Sequence, residues 1–211
     1  MTQALDRWIY AGQARRQPAA IGSVTPSGRQ LAARLALPAA ELPAGGRILE
    51  VGAGTGAVTR MLLRRAPRAS VTAVEPNQRF ARLLAQRYPQ VSVYPAAVQD
   101  AALSGGPFPF VVCGIPFANL PTAEVRAVLG CLRRQLADGG TLTWFRYLGA
   151  VATDRVLGRR TRERRAANRV LLQNFCREFR TAHRAVVASN LPPAEVFTLR
   201  GRGLAGAGRM G

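Results

Sequence analysis

The sequence predicts an α/β domain built on a doubly wound, Rossmann-like sheet, mostly parallel with an antiparallel last strand, and preceded by an N-terminal amphipathic helix. Three observations carry this expectation. From residue 47 onward, short runs rich in β-branched and aromatic residues alternate with helical stretches, the pattern of strand–helix–strand units in a parallel sheet. The first run, residues 48–51, opens into the glycine turn Gly52-Ala53-Gly54-Thr55-Gly56, and a helical pattern carrying Val58, Met61, Leu62 and Leu63 follows. The second run, residues 70–74, ends on an acid, Glu75.

In chain order, residues 2–16 can form a helix with Leu5, Trp8, Ile9 and Gly12 on one face and Arg7, Arg15 and Arg16 beside or opposite it. Such a helix is either an interfacial anchor or a terminal helix laying its apolar stripe on the domain. We assign residues 1–17 to membrane interaction and 18–200 to the folded domain. Pro18 ends the helix, a turn-rich loop follows, and Ser27 is placed to cap a helix carrying Leu31, Ala32, Leu35 and Ala36. After the glycine turn come a helix over 77–87, a third strand over 91–94 and a fourth over 110–113. A helix over 122–137 stops at Asp138-Gly139-Gly140, and a fifth strand covers 141–145. Residues 155–180 read as an arginine-dense helix or pair of helices, with Val156, Leu157, Val170, Leu171, Phe175 and Phe179 available to face inward. Strands near 185–188 and 195–199 close the domain, and residues 201–211 are expected to be a disordered tail.

Composition narrows the partners. The 211 residues carry a formal charge of +19, and all thirty basic residues are arginine. That excess suits a polyanion, whether nucleic acid or an anionic membrane. Arginine without lysine, beside abundant alanine, also fits a GC-rich genome. The cysteines 113, 131 and 176 are widely spaced, so neither a disulfide framework nor a metal site is expected, and a reducing cytoplasm fits. The most apolar run, 108–120, is broken by prolines and falls short of the ~20 residues a membrane span needs.

The strand ends bring Glu50, Glu75, Cys113 and Tyr147 to one edge, where ligands of such sheets bind. An acid at Glu75 accepts hydrogen bonds from the ribose hydroxyls of an adenosine cofactor. The glycines alone also fit a dinucleotide turn. Glu50 separates the two, because a carboxylate beside the turn repels a pyrophosphate and suits the amino and sulfonium groups of S-adenosylmethionine. The expected cofactor is therefore S-adenosylmethionine, with S-adenosylhomocysteine as product.

The loop leaving the fourth strand faces substrate. Enzymes that methylate a planar adenine or amide nitrogen carry Asn or Asp at its start, as acceptor for the N–H; here Gly114 stands there. An aliphatic amine needs no such acceptor. Cys113-Gly114-Ile115-Pro116-Phe117-Ala118-Asn119-Leu120-Pro121 resembles the Ser-Gly-Leu-Pro-Leu-Leu-Asn-Phe-Pro signature of the bacterial phospholipid N-methyltransferases, class I S-adenosylmethionine-dependent enzymes that convert phosphatidylethanolamine towards phosphatidylcholine. Gly22-Ser23-Val24-Thr25-Pro26-Ser27-Gly28-Arg29, Phe145-Arg146-Tyr147 and Asn190-Leu191-Pro192-Pro193-Ala194 are similar to further stretches of that family, in the same order. Three departures stand out: Cys113 for serine, Ala96 where an aspartate is common, and Thr143-Trp144 where glutamine is favoured.

The resemblance implies cofactor contacts from Ser27, Glu50, Gly52, Ala53, Gly54, Gly56, Glu75, Pro76, Ala97, Val98, Cys113, Gly114 and Ile115. It places Pro116, Phe117, Asn119, Arg146 and Tyr147 on the substrate side, and Leu5, Trp8, Ile9, Arg15 and Arg16 at the membrane. Tyr147, with Tyr10, is the candidate for orienting the amine and relaying its proton; for Tyr147 the alternative is plain packing on the sheet edge. The implied partners are an anionic bilayer and phosphatidylethanolamine, met by a monomer at the cytoplasmic face of the cell membrane. A ribosomal RNA adenine dimethyltransferase is the competing expectation, and Gly114 and the Trp8 helix argue against nucleic acid. His183 is expected at the surface, away from the site. The arginines over 155–169 read either as a phosphate-binding patch or as a solvated face.

Overall fold

A computed structural model describes residues 26–148, 158–190 and 192–202. The predicted 1–17 helix, with Leu5, Trp8, Ile9, Tyr10, Arg15 and Arg16, lies outside the described residues, as does the tail from 203.

The chain runs α1 (Pro26–Leu35), a 3-10 turn (Leu37–Glu41), β1 (Arg47–Val51), α2 (Ala57–Arg65), β2 (Ser70–Val74), α3 (Gln78–Arg87), β3 (Ser92–Tyr94) and β4 (Phe108–Cys113). A second 3-10 turn (Phe117–Asn119), α4 (Thr122–Gln135), β5 (Leu136–Tyr147), α5 (Arg159–Arg177), β6 (Arg180–Val187) and β7 (Ala194–Arg200) follow. The seven strands form one sheet in the order β3-β2-β1-β4-β5-β7-β6. β7 runs antiparallel to both of its neighbours, and β1 to β5 pair in parallel. Val51 is level with Val74 and Cys113, and Cys113 with Trp144. The loops that leave β1, β2, β4 and β5 therefore emerge at one edge.

Period-two alternation sorts the strand residues onto two cores. Leu49, Val51, Val111, Leu142, Trp144 and Leu199 pack under α4 and α5 through Val125, Val128, Leu132 and Phe175. Ile48, Ala73, Phe110, Val112, Phe145 and Val196 pack under α1, α2 and α3 through Leu35, Leu62 and Leu84. Burial on both faces explains why the parallel strands read as apolar runs.

Of the boundaries that differ from expectation, three have a physical reason in the sequence. α1 begins at Pro26, so Ser27 sits inside its first turn rather than capping it; proline is well suited to a first helical position. β5 starts at Leu136 and carries Asp138-Gly139-Gly140 within it, opposite a register shift at Phe108/Phe110. Gly139 takes φ +68°, which lets the strand absorb the irregularity, and Gly201 N–H bonds the Gly140 carbonyl at 2.8 Å. β6 spans Arg180–Val187, earlier and longer than predicted. It is an edge strand, where basic residues such as Arg180 and Arg184 discourage pairing with another sheet.

Candidate active site

The head of β1 is built around a buried carboxylate. Glu50 points to the α2 face, is 1% exposed, and accepts a 2.6 Å hydrogen bond from Thr59 Oγ1 in the first turn of α2. Among the described residues its Oε1 is buried with no partner. Desolvation is the main reason its pKa rises to about 8, against the lowering effect of Thr59; Glu75 raises it further. A buried carboxylate with an unfilled acceptor is a site for a cation that brings its own N–H donors.

Beside it the glycine turn folds against β2. Gly52 and Ala53 N–H groups bond the Val74 carbonyl at 2.9 and 3.3 Å. Gly52, Gly54 and Gly56 all take positive φ. A Cβ on Gly52 would lie 2.8 Å from Ile115 Cγ1 and one on Gly56 2.7 Å from Leu84, whereas one on Gly54 would meet nothing within 4 Å. The middle of the turn therefore opens onto free space, where a ligand can approach the backbone.

Glu75 accepts from Gly54 N at 2.8 Å and from Asn77 N at 2.9 Å. Each carboxylate oxygen retains capacity for one more donor, which two vicinal hydroxyls would use. Burial raises its pKa, and the two backbone N–H groups counter this by holding the ionised form. Asn77 caps α3, accepting from Arg79 N and Phe80 N, and so fixes the turn that carries Pro76. On the far side of β2, Ala97 is half-buried, Val98 is 3% exposed and accepts from Cys131 Sγ at 3.3 Å, and Ala97 O accepts from Asp100 N.

The loop leaving β4 starts hard against the glycine turn. Gly114 N–H bonds Val51 O at 2.8 Å, and a Cβ on Gly114 would lie 2.8 Å from Gly52 O. The position excludes a side chain on steric grounds, so the head of β4 offers no side-chain acceptor. Cys113 is fully buried and burial pushes its thiol up to about 12, so it is a core residue that can meet a ligand only through its backbone. Phe117 is likewise in the core, edge-on to Trp144 at 6.1 Å, which itself stacks on Phe197 at 4.4 Å. Pro116 and Ile115 stay half-buried between the two.

Asn168, from the arginine-dense α5, secures this loop. It is 1% exposed, and its Nδ2 donates to Phe117 O at 3.1 Å and Leu120 O at 2.9 Å, while Oδ1 is buried without a partner among the described residues. Its spacing to Leu171, Leu172 and Phe175 was the one sequence signal that it faces inward. Thr59, nine residues beyond Glu50, had no such signal.

At the end of β5, Tyr147 is 37% exposed and packs edge-on to Phe145 at 5.1 Å, on the Glu50 side of the sheet. Burial of its remaining surface raises its pKa, keeping the phenol protonated. Arg146 is committed elsewhere: its guanidinium pairs with Glu195 at 2.6 Å and lies over the Phe197 ring at 5.3 Å. The side chains of Ser27 and Asn119 are outside the described structure. His183 is exposed on β6, within 2.5 Å of Arg34 and off the strand-end edge, as expected. No group of ligating side chains able to hold a metal occurs among the described residues.

Residues 48–140 match the family profile described as "Methyltransferase domain". The fold is shared with the N-methyltransferase NodS from Bradyrhizobium japonicum WM9, at 17% identity and TM-score 0.64, over 85% of this chain and 98% of that one. It is shared also with the magnesium protoporphyrin IX methyltransferase from Synechocystis PCC 6803, solved with S-adenosylmethionine bound (16%, TM-score 0.63, 95% and 92%). A putative RNA methyltransferase from Pyrococcus horikoshii aligns at 15% identity and TM-score 0.60, over 83% and 84%. No curated protein sequence matches the chain. Residues 48–140 thus carry a methyltransferase domain, and the chain has the class I, S-adenosylmethionine-dependent methyltransferase fold. Its head-of-sheet residues fit that cofactor: an unfilled buried carboxylate for the cationic end, an open glycine, and a second carboxylate with room for two hydroxyls.

Proposed function

We propose that this methyltransferase transfers methyl groups to the amine of phosphatidylethanolamine, and to its mono- and dimethyl derivatives, towards phosphatidylcholine at a membrane surface. The observation that carries this reading is Gly114. Its backbone is pressed against the Gly52 carbonyl, so the substrate position lacks the acceptor side chain that a planar nitrogen requires. A deprotonated aliphatic amine has its own lone pair and needs only placement. The resemblance of residues 113–121, 145–147 and 190–194 to phospholipid N-methyltransferases supports the same class.

Bound S-adenosylmethionine supplies an electrophilic methyl group on a sulfonium, and the nitrogen lone pair displaces it in line while the C–S electron pair stays on sulfur. The protein's part is positioning and exclusion of water. Glu50, through Oε1, would hold the cofactor's amino group, and Glu75 the ribose. Ile115 and Pro116 would wall the amine's approach. Tyr147, protonated at neutral pH, orients the amine with its oxygen lone pair and ring face rather than removing a proton. The proton leaves to water before attack, since burial beside positive charge lowers the amine pKa. Residues 1–17 and the basic surface would hold the enzyme on anionic lipid; among the described residues no helix is long and apolar enough to cross a membrane.

The test offers labelled S-adenosylmethionine with phosphatidylethanolamine vesicles containing anionic lipid and, in parallel, with ribosomal RNA. Label in mono-, di- or trimethylated lipid is the expected result. Label in RNA alone would overturn the proposal. Tyr147→Phe should lower kcat/KM about tenfold while leaving cofactor affinity unchanged.

A further inference from the structure

The basic face of α5 is not uniform. Its far end is pinned to α4, where Arg133 Nη1 and Glu178 Oε2 lie 2.6 Å apart. Nearly three turns further up, Asn168 sits on the carbonyls of Phe117 and Leu120, just beyond the head of β4. The helix therefore rises alongside α4, and its first two turns stand above that loop. At about 1.5 Å per residue, Arg164 lies ~6 Å beyond Asn168, towards the edge where Glu50 and the glycine turn open.

Those two turns are electrostatically unusual. The N-terminal end of a helix carries the positive pole of its dipole and ordinarily attracts acids. Here the first turn contains no acid, Gly158 caps it without a side-chain bond, and Arg159, Arg160, Arg162, Arg164 and Arg165 crowd it. Arg159 is paired with Glu163. Arg160 and Arg162 are exposed, but Arg164 is half-buried and its Nε is shut off from solvent with no partner among the described residues. One turn below, the buried Asn168 Oδ1 is an acceptor with no donor among them.

Resting on the methyltransferase reading above, we infer that Arg164 binds the phosphate of the lipid headgroup, in the positive field of the α5 N-terminus. Arg164 stands one helical turn above the β4 loop that Asn168 secures, so its guanidinium can take a phosphate while the amine, a few bonds away, reaches over that loop. Exposed Arg160 and Arg162 then serve the bilayer surface at large, and Arg164 the single substrate molecule. Guanidinium suits this role because its fork matches two phosphate oxygens.

The test uses the full chain with S-adenosylhomocysteine bound, titrated with a short-chain phosphatidylethanolamine below its micelle concentration, and a parallel steady-state assay with the same lipid. Arg164→Gln should weaken lipid binding and raise KM about tenfold, as loss of a charge-assisted contact does, with S-adenosylhomocysteine affinity unchanged as the check on folding. Arg160→Gln removes the same charge and should leave both within about twofold, while reducing partition onto anionic vesicles. Arg164→Lys should recover part of the loss. Equal behaviour of Arg164→Gln and Arg160→Gln would overturn the inference. So would inorganic phosphate binding at Arg164 as tightly as the lipid, which would mean a free-phosphate site, or single-stranded RNA depending on Arg164 in its place. Failure of the wild type to methylate any lipid sinks the proposed function instead, and the binding arm still reports whether Arg164 selects a phosphate.

Discussion

The head of the sheet divides into two regions that handle their polar groups differently. Around β1 and β2, Glu75 and the glycine-turn N–H groups bond one another within about two dozen residues of sequence, and one vacancy is left among the described residues, Glu50 Oε1. Around β4, β5 and α5 the walls are apolar and made by distant partners: Gly114 against Gly52, Phe117 against Trp144, and Asn168 reaching back 51 residues to Phe117. The first region is a local structure whose unfilled carboxylate oxygens are the ones the proposed cofactor contacts would use. The second is a tertiary structure whose shape depends on packing, and that difference predicts what substitutions do.

The sharpest test of the first region is Glu50→Gln. Removing the charge should cost cofactor affinity on the order of a hundredfold, because a buried carboxylate then no longer meets the cationic end. The same substitution should stabilise the ligand-free protein. With a folded pKa of about 8 against 4.5, wild-type Glu50 retains its proton in the native state across the range where the unfolded chain has lost it. The native state then binds more protons than the unfolded one, so stability is full below about 4.5 and falls as pH rises through 8. Glu50→Gln abolishes that fall, a gain at pH 8.5 of up to several kcal/mol, at about 1.4 per pKa unit. Calorimetric cofactor binding should release a proton at pH 7 in the wild type and none in the variant. Equal affinity with no change in the pH slope of Tm would remove Glu50 from the site.

Gly114→Ala probes the seam between the regions. Its new methyl would sit 2.8 Å from a backbone carbonyl that is itself held by the glycine turn, so neither side yields cheaply. The expected loss is about 1–3 kcal/mol of stability, as for overpacking, together with weakened cofactor binding because the turn is displaced. A variant as stable as wild type would show that the loop gives way, and would return the choice of glycine to substrate chemistry alone.

For the second region alone, Asn168→Leu removes two bonds to carbonyls but also an unsatisfied Oδ1, so the losses offset in part. About 1–2 kcal/mol of net destabilisation is expected, with KM for the amine raised and cofactor Kd unchanged. A change in cofactor Kd would mean that the two regions are coupled through the β4 loop.

The sequence made the first region legible for a physical reason. A strand, a glycine turn and a helix start are contiguous, and Glu50 and Glu75 close two successive strands, so local pattern places them on one edge. The five parallel strands follow from the alternation of strand and helix, and β7 turns antiparallel where that alternation stops, with no helix between it and β6. Where the reading slipped, tertiary forces had acted: β6 began at Arg180 because edge strands tolerate charge, and β5 ran through Asp138-Gly139-Gly140 because Gly139 can bulge. Phe117, expected on the substrate side, is 3% exposed, because the Trp144–Phe197 stack makes an aromatic pocket that no one-dimensional pattern displays.

Arg146 is the instructive small case. A basic residue beside Tyr147 at the end of β5 invites a role in holding the phosphate, and chain position alone supports it. In the folded chain it stands opposite Glu195 in the antiparallel β5–β7 register and rests on Phe197. That is a brace between strands, with the arginine side chain still 46% exposed and Glu195 13% exposed. Exposed pairs of this kind contribute little, so Arg146→Gln should lower stability by about 0.5–1 kcal/mol, measured by urea unfolding, and leave KM within about twofold. The contrast with Arg164→Gln is the point of the measurement. A tenfold KM effect at Arg146 would place phosphate recognition on β5, and the division between a strand that braces and a helix that binds would have to be redrawn.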